Sequence, residues 1–538
     1  MRMPTLIHAL AALLLCLCAA LPAAAEDPGA LPALLAELHE AGFRDKQQVI
    51  ERIVALRHPN TRVVLRALLD GQLVVRKSDG TVFIAADDSG AQALTDPQTL
   101  DPAGRAAADE VERIRTNNAL RKYLRGTIAQ FALADPQRKV RLAAARELID
   151  TLDDDVLEIL RRRAEVETDD AVLEQIGIAL ALAALDSGDP QQRLDAVQTL
   201  AGSLHPTVYN RLSALADAEA DPQLRAAASR AVHRIDGWRR VCGWIETLFF
   251  GLSLGSVLVL AAIGLAITFG VMGVINMAHG ELMMIGAYTT YCVQLLLPQH
   301  LGLSIALSIP AAFLVAGAFG VAIERGIVRF LYGRPLETLL ATFGLSLILQ
   351  QLVRSIFSPL NRSVATPEFM SGTLAINEAL SLTYNRLYIV VFALIVFVLL
   401  QLVLKRTPLG LQVRAVAQNR AMARAMGIRS EWVDAATFGL GAGIAGVAGV
   451  ALSQLTNVGP NLGQSYIIDS FMVVVFGGVG NLWGTLISGL SLGVINKLLE
   501  PYSGAVLAKI LVLVFLILFI QRRPRGLFPQ KGRAAEGL

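Results

Sequence analysis

Two hydrophobic patterns divide the chain. From about residue 26 to 238, apolar residues recur at helical spacing among Arg, Glu and Gln, which predicts amphipathic helices. After "RIDGWRRVCGW" the apolar runs become long, which is typical of membrane-spanning helices. The runs predict about nine spans, near 245–270, 277–297, 302–324, 336–357, 387–404, 433–455, 466–478, 482–498 and 505–521.

The first 25 residues have the pattern of a secretory signal peptide. Arg2 supplies the positive charge, the apolar core is too short to span a membrane, and Ala23-x-Ala25 is a cleavage signal. An uncleaved anchor is the alternative. We therefore predict a signal peptide at 1–25, an exported domain at 26–238 and a membrane domain at 239–538.

The predicted exported domain is mostly helical. Asp-Pro begins a similar segment at residues 135, 189 and 221, where Asp can cap a helix and Pro can occupy its first turn. The weak repeat resembles a HEAT-like array of helical pairs. Leu73–Ala85 alternates around Asp79-Gly80, which predicts a β-hairpin, and a loop is expected after it. This domain is either a docking surface or an extension without a role in the chemistry.

Charge separates the two halves and predicts their orientation. Residues 26–238 hold 34 acidic and 26 basic residues, whereas 239–538 hold 11 and 21. The basic residues cluster at 325–334, at 405–429 and after 522, and basic loops stay in the cytoplasm. We therefore predict a periplasmic N-terminal domain, a cytoplasmic C-terminus, and no nucleic-acid partner. After signal cleavage, Cys242 and Cys292 would remain, and we expect free thiols, although a disulfide stays possible.

Five motifs follow one another along the membrane half of the chain. They are "GLSLGSVLVLAAIGLAITFGVMGVINMAHGELMMIGAY", "RPLETLLATFGLSLILQ", "TPLGLQVRAVAQNRAMARAMGI", "FGGVGNLWG" and "RRPRGLFP". Together they cover about residues 240–530, and in these motifs and their order the chain resembles the LivH-type permeases of branched-chain amino acid ABC importers. The fold this implies is all-α: a polytopic membrane helix bundle of about nine spans, here preceded by a soluble, mostly helical HEAT-like domain with one small β-hairpin.

The resemblance implies partners and no catalytic residues of its own. It implies a second, LivM-like permease subunit, two cytoplasmic ABC ATPases, a periplasmic substrate-binding protein, a small-molecule substrate and surrounding membrane lipid. The chain has no Gly-Lys pair and hence no P-loop, so ATP and Mg²⁺ are expected on the partners, with no directly bound cofactor and no metal site. By resemblance, the segment that couples to the ATPases contains Arg414, Ala415, Asn419, Met426 and Gly427. The alternative is an amphipathic helix lying on anionic lipid.

Polar residues within the apolar runs are candidates for a pathway or gate, because such residues are costly at membrane depth. Each also has a structural alternative: Asn276 could cap the second span, Glu281 could stabilise its N-terminus, and "GGVGN" could be a turn. The Ser and Thr hydroxyls could instead form hydrogen bonds between packed helices. The candidates are Ser253, Ser256, Thr268, Asn276, His279, Glu281, Thr342, Gly477, Gly478 and Asn481.

The long N-terminal extension resembles the UrtB-type, urea-importing branch of the family. The primary hypothesis is therefore an inner-membrane permease subunit that takes up urea or short amides and is not an enzyme. A branched-chain amino acid permease is the alternative within the family. An ATP-independent urea channel is the alternative outside it.

Overall fold

The computed structural model describes residues 30–42, 45–56, 58–88, 91–107 and 109–528. The predicted signal peptide lies outside these residues. The chain divides into two compact units between Ile235 and Asp236. This boundary falls inside one long helix, so each unit is described by itself.

The first unit is an array of helices with an inserted sheet. Two apolar clusters form its helical core, one around α1–α4 and one around α4–α9. The helices are α1 Ala30–Glu40, α2 Lys46–Ala55, α3 Thr61–Leu69, α4 Asn118–Leu133, α5 Arg138–Leu148, α6 Asp154–Val166, α7 Asp170–Ala184, α8 Pro190–Leu200 and α9 Pro206–Ala218.

The predicted Asp-Pro helix starts are found at two of three positions. Asp189 caps α8 by accepting a hydrogen bond from the backbone of Gln191, and Pro190 is its first helical residue. Asp221 accepts the Gln223 N–H in the same way, where the next helix begins. At Asp135 the prediction is wrong, because the helix begins only at Arg138.

The predicted hairpin is the centre of a five-stranded antiparallel sheet of order β4-β3-β2-β1-β5. The expected loop after it, residues 87–102, contains β3 and the first residue of β4, so that prediction is wrong. Ala and Gly are poor strand formers, and here the pairing of β3 with β2 and of β4 with β3, rather than residue preference, stabilises the extended conformation. The strands are β1 Leu73–Arg76, β2 Val82–Asp88, β3 Ala91–Thr95, β4 Pro102–Ala106 and β5 Val111–Arg113.

The second unit is a helical bundle, as predicted. A small hairpin, β6 Thr373–Asn377 and β7 Leu380–Thr383, and two short 3₁₀ helices join some of its helices. The helices are α10 Pro222–Met272, which begins in the first unit, α11 His279–Leu296, α12 Leu301–Gly326, α13 Pro335–Phe357, α14 Tyr384–Arg406, α15 Pro408–Gln418, α16 Arg420–Ala425, α17 Ser430–Ser453, α18 Leu462–Gly477 and α19 Leu482–Arg522.

Among the described residues, six helices are long and apolar enough to cross a membrane: α10, α12, α13, α14, α17 and α19. The predicted nine segments all exist as helices, but three do not qualify separately. The helix α11 has 18 residues and carries polar groups, and α18 has only 16. The last two predicted spans form one helix, α19, with a break at Gly504, where φ is +76°.

Glycine-rich α17 is the centre of the bundle. A side chain at Gly441 would collide with the backbone of α10, one at Gly446 with α12, and one at Gly449 with α11. In lipid, no hydrophobic force drives helices together, so close backbone contact provides the packing. The run "GLGAGIAGVAGVAL" is therefore a packing motif, and α17 is almost wholly buried.

Candidate functional site

A buried carboxylate lies between α11 and α13. Glu281, in the first turn of α11, is 1% exposed. Its Oε1 accepts hydrogen bonds from Ser346 Oγ at 2.9 Å and from Gln350 Nε2 at 2.8 Å, both on α13. Its Oε2 is also buried and has no hydrogen-bond partner among the described residues. One free acceptor therefore lies within the helical core.

The α13 side of this contact is a polar stripe along the helix. A polar residue recurs every fourth position at Thr338, Thr342, Ser346, Gln350 and Arg354, and the first four are buried. Residues four apart lie on one face of a helix. We call these five residues the α13 stripe. Its spacing is visible in the sequence, but only Thr342 was singled out there.

The α13 stripe contacts three parts of the bundle. Thr342 Oγ accepts a hydrogen bond from the Met277 backbone at 3.1 Å, which holds the segment before α11. Ser346 and Gln350 hold Glu281, and Arg354 donates to Asn461 Oδ1 at 2.8 Å just before α18. The stripe therefore connects α13 with α11 and α18 at successive levels.

Asn276 and His279 also lie in this region, but neither caps α11. The N-cap is Ala278, and Asn276 Oδ1 accepts the Ala278 N–H at 3.0 Å, so the predicted Asn276 cap is wrong. The Nε2 of His279 lies 3.0 Å from the Ala261 carbonyl on α10 and donates to it. Both residues are fully buried, because the loop before α11 folds into the bundle rather than over its surface.

The hydroxyl candidates on α10 are separate from this group. Ser256 donates to the Leu252 carbonyl at 2.8 Å, and Thr268 donates to carbonyls one turn back in its own helix. Such bonds are common for Ser and Thr inside helices. Ser253 is fully buried, and its hydroxyl has no hydrogen-bond partner among the described residues.

The "GGVGN" segment is a tight turn between α18 and α19. Gly478 and Gly480 have φ of +101° and +79°, a region that favours glycine. Gly477 ends α18 and its carbonyl accepts the Phe528 N–H at 3.2 Å. Asn481 caps α19 through the Gly484 N–H and donates to the Phe528 carbonyl. Two hydrogen bonds therefore join this turn to Phe528 in the C-terminal segment.

The predicted coupling segment forms two short helices, α15 and α16. Asn419 caps α16 by accepting the Met422 N–H at 2.9 Å, and Gly427 has φ of +88° after it. Arg414 donates to the Leu404 carbonyl, and Ala415 packs beside a small apolar cluster. Met426 is 78% exposed. The inner face of the segment is therefore packed, and its tip is an exposed apolar side chain.

An ion pair fixes the predicted coupling segment to the bundle. Arg420 on α16 donates to Asp434 Oδ1 at 2.8 Å, and Asp434 on α17 is fully buried. The Arg420 guanidinium also lies over the Tyr332 ring, and Tyr332 donates to Glu324 Oε1 on α12 at 2.8 Å. A buried ion pair that loses one partner leaves an uncompensated charge, so this link resists separation. Sequence reasoning missed it.

The chain matches one family model over residues 247–520, described as "Branched-chain amino acid transport system / permease component". That range is half of the chain and includes the Glu281 group, the α13 stripe and the coupling segment. The chain belongs to this permease family. The membership confirms the predicted family and identifies the second unit as a multi-pass membrane transport permease.

Several relatives of this permease each cover about half of its chain. It is 34% identical over 295 residues to the high-affinity branched-chain amino acid transport system permease protein BraD of Pseudomonas aeruginosa, covering 53% of this chain and 95% of BraD. It is 31% identical to LivH of Salmonella typhimurium with the same coverage. A ribose import permease protein, RbsC of Escherichia coli, is 27% identical over 263 residues, covering 47% of this chain and 77% of RbsC. No solved structure matches.

Proposed function

We propose that this permease is the membrane subunit of an ABC importer for branched-chain amino acids. The observation that carries the proposal is the similarity to BraD over 95% of that protein, whose name gives this substrate class. The same similarity supports the branched-chain amino acid permease, which was the alternative from the sequence, better than it supports the urea permease. The buried acceptor at Glu281 is compatible with a substrate that carries an ammonium group.

The proposal includes partners that hydrolyse ATP and deliver substrate. A second permease, two cytoplasmic ATPases and a periplasmic binding protein would complete the importer. The coupling segment supports this, because an ATPase needs a cytoplasmic element that moves with the bundle. Its exposed apolar side chains Leu411, Met422 and Met426 offer a docking surface. With basic loops inside, the first unit would be periplasmic and the membrane would be the bacterial inner membrane.

Urea is the second candidate substrate, and the N-terminal extension favours it. The relatives with branched-chain amino acid names cover only 53% of this chain, so the first unit is an addition to them. A long extension of this kind resembles the urea-importing branch. Urea is neutral, so its pathway needs hydrogen-bonding groups but no fixed charge.

Uptake in cells tests the proposal. Labelled leucine and labelled urea, each at micromolar concentration, are supplied to cells with this chain deleted and then restored, with and without energy depletion. We expect energy-dependent leucine uptake to disappear on deletion and to return on restoration. Loss of urea uptake alone would instead support the urea importer. Urea entry that survives energy depletion yet requires the chain would favour a channel.

A further inference from the structure

The starting observation is a buried, half-satisfied carboxylate. Glu281 is held by Ser346 and Gln350 through one oxygen, and the other has no hydrogen-bond partner among the described residues. Leaving a buried acceptor without a donor costs about 1–3 kcal/mol. A group that only tied α11 to α13 would not need the second oxygen free. The arrangement therefore favours a donor that is absent from the chain itself.

The charges along the α13 stripe run in an order that suits a zwitterion. Glu281 binds the stripe at Gln350, and Arg354 follows one helical turn later, about 6 Å along the axis. Tyr288 on α11 and Leu349 and Val353 on α13 are all members of one buried apolar cluster of the bundle. An aliphatic amino acid carries an ammonium group, a carboxylate and an apolar side chain. Glu281, Arg354 and the apolar cluster are complementary to these three groups.

The α13 helix lies at the periphery of the bundle. In its most apolar stretch 33% of the residues are buried, against 89% for α17. The face opposite the stripe is exposed at Leu340 and Ile348. The glycine contacts of α17 are with α10, α11 and α12, so a shift of α13 leaves them intact. A shift that keeps Ser346 and Gln350 on Oε1 can therefore admit a donor to Oε2.

Building on the proposed function, we propose that Glu281 Oε2 binds the substrate's ammonium group during transport, with Ser346 and Gln350 holding the carboxylate in position. An N–H donor from the substrate completes the carboxylate's hydrogen bonding. The substitution Glu281→Gln keeps a side-chain oxygen that can accept from Ser346, but it replaces the carboxylate with a neutral amide. This substitution therefore removes the charge of the side chain and keeps its shape.

The test uses the whole importer, reconstituted in vesicles with its ATPases and loaded binding protein at saturation. We measure leucine transported and ATP hydrolysed for the wild type, Glu281→Gln, and the control Glu337→Gln. Glu337 lies at the start of α13, outside the stripe, and is half exposed. For Glu281→Gln we expect leucine transported per ATP to fall at least about tenfold while ATP hydrolysis is retained. The control should match the wild type.

Different results separate the two proposals. If Glu281→Gln transports leucine at the wild-type ratio, the ammonium role is overturned although the importer function stands. If leucine transport and ATP hydrolysis fall together, Glu281 is a structural group and the ammonium role is likewise overturned. If the wild-type importer moves urea and not leucine, the proposed substrate is wrong, and the ammonium role is overturned with it.

Discussion

At the scale of the residue, Glu167 shows how one carboxylate joins several helices of the first unit. Its side chain is buried and accepts hydrogen bonds from Arg141 on α5 and Arg163 on α6. It also accepts the backbone N–H groups of Thr168 and Asp169. Burial raises the pKa of Glu167, but the hydrogen bonds from Arg163 and Arg141 outweigh it and lower the pKa to about 2.

This shift makes a pH-dependent contribution to stability. The carboxylate's pKa is lower in the folded state, so its stabilisation is full above the ordinary pKa of 4.5 and is lost as pH falls towards 2. We expect Glu167→Gln to destabilise α5–α7 by about 2 kcal/mol at pH 7 and by much less at pH 3. Amide hydrogen exchange in these helices, corrected for intrinsic rates, measures the difference.

The exposed neighbour Glu165 provides the control, because Glu165→Gln removes the same charge without touching Arg141. An equal effect of both substitutions would show that net charge, and not the Glu167 contacts, is responsible. A Glu167→Gln effect that is as large at pH 3 as at pH 7 would contradict the assigned pKa.

At the scale of the element, glycine contacts around α17 set the stability of the bundle. A Cβ at Gly446 would meet the Ala312 carbonyl and the Ala316 side chain, whereas one at Gly344 on α13 would meet nothing. We expect Gly446→Ala to destabilise the protein by about 1–3 kcal/mol and Gly344→Ala to leave stability unchanged or slightly higher. Thermal unfolding in detergent compares them. Equal stability of the two variants would contradict the packing role.

The link between α16 and α17 gives a second prediction at this scale. Arg420→Gln leaves the buried Asp434 without its ion pair. We expect ATP hydrolysis to persist while substrate transported per ATP falls several-fold, about 3–10 times. The double substitution Arg420→Gln with Asp434→Asn should restore much of the ratio, since no uncompensated charge remains. Failure of the double variant to recover would contradict transmission through this pair.

The elements were largely predictable, and the contacts between them were not. Long apolar runs mark the membrane helices, and Asp-Pro marks the starts of α8 and α10. Both signals are local, so they can be seen in the sequence. The strands β3 and β4 were missed, since Ala and Gly give no strand pattern without a partner. Gln350 and Ser346 were missed because their role depends on α13 packing against α11, which no local pattern indicates.

At the scale of the whole molecule, the orientation of the two units is open to direct measurement. In a variant without native cysteines, Glu165→Cys places a thiol in the first unit and Met426→Cys one in the coupling segment. With only the outer membrane permeabilised, we expect a membrane-impermeant maleimide to label the first and not the second. Breaking the inner membrane should then expose the second. The reverse labelling would contradict the predicted topology.

The central claim is that the chain moves a branched-chain amino acid as part of an ATP-driven importer. Accumulation of labelled leucine in vesicles that contain the complete complex tests it most directly, with ATP supplied on the ATPase side and loaded binding protein on the other. The account predicts accumulation above the equilibrium level that requires ATP and stops when ATP is replaced by a non-hydrolysable analogue. Entry that only equilibrates and proceeds equally without ATP would contradict it.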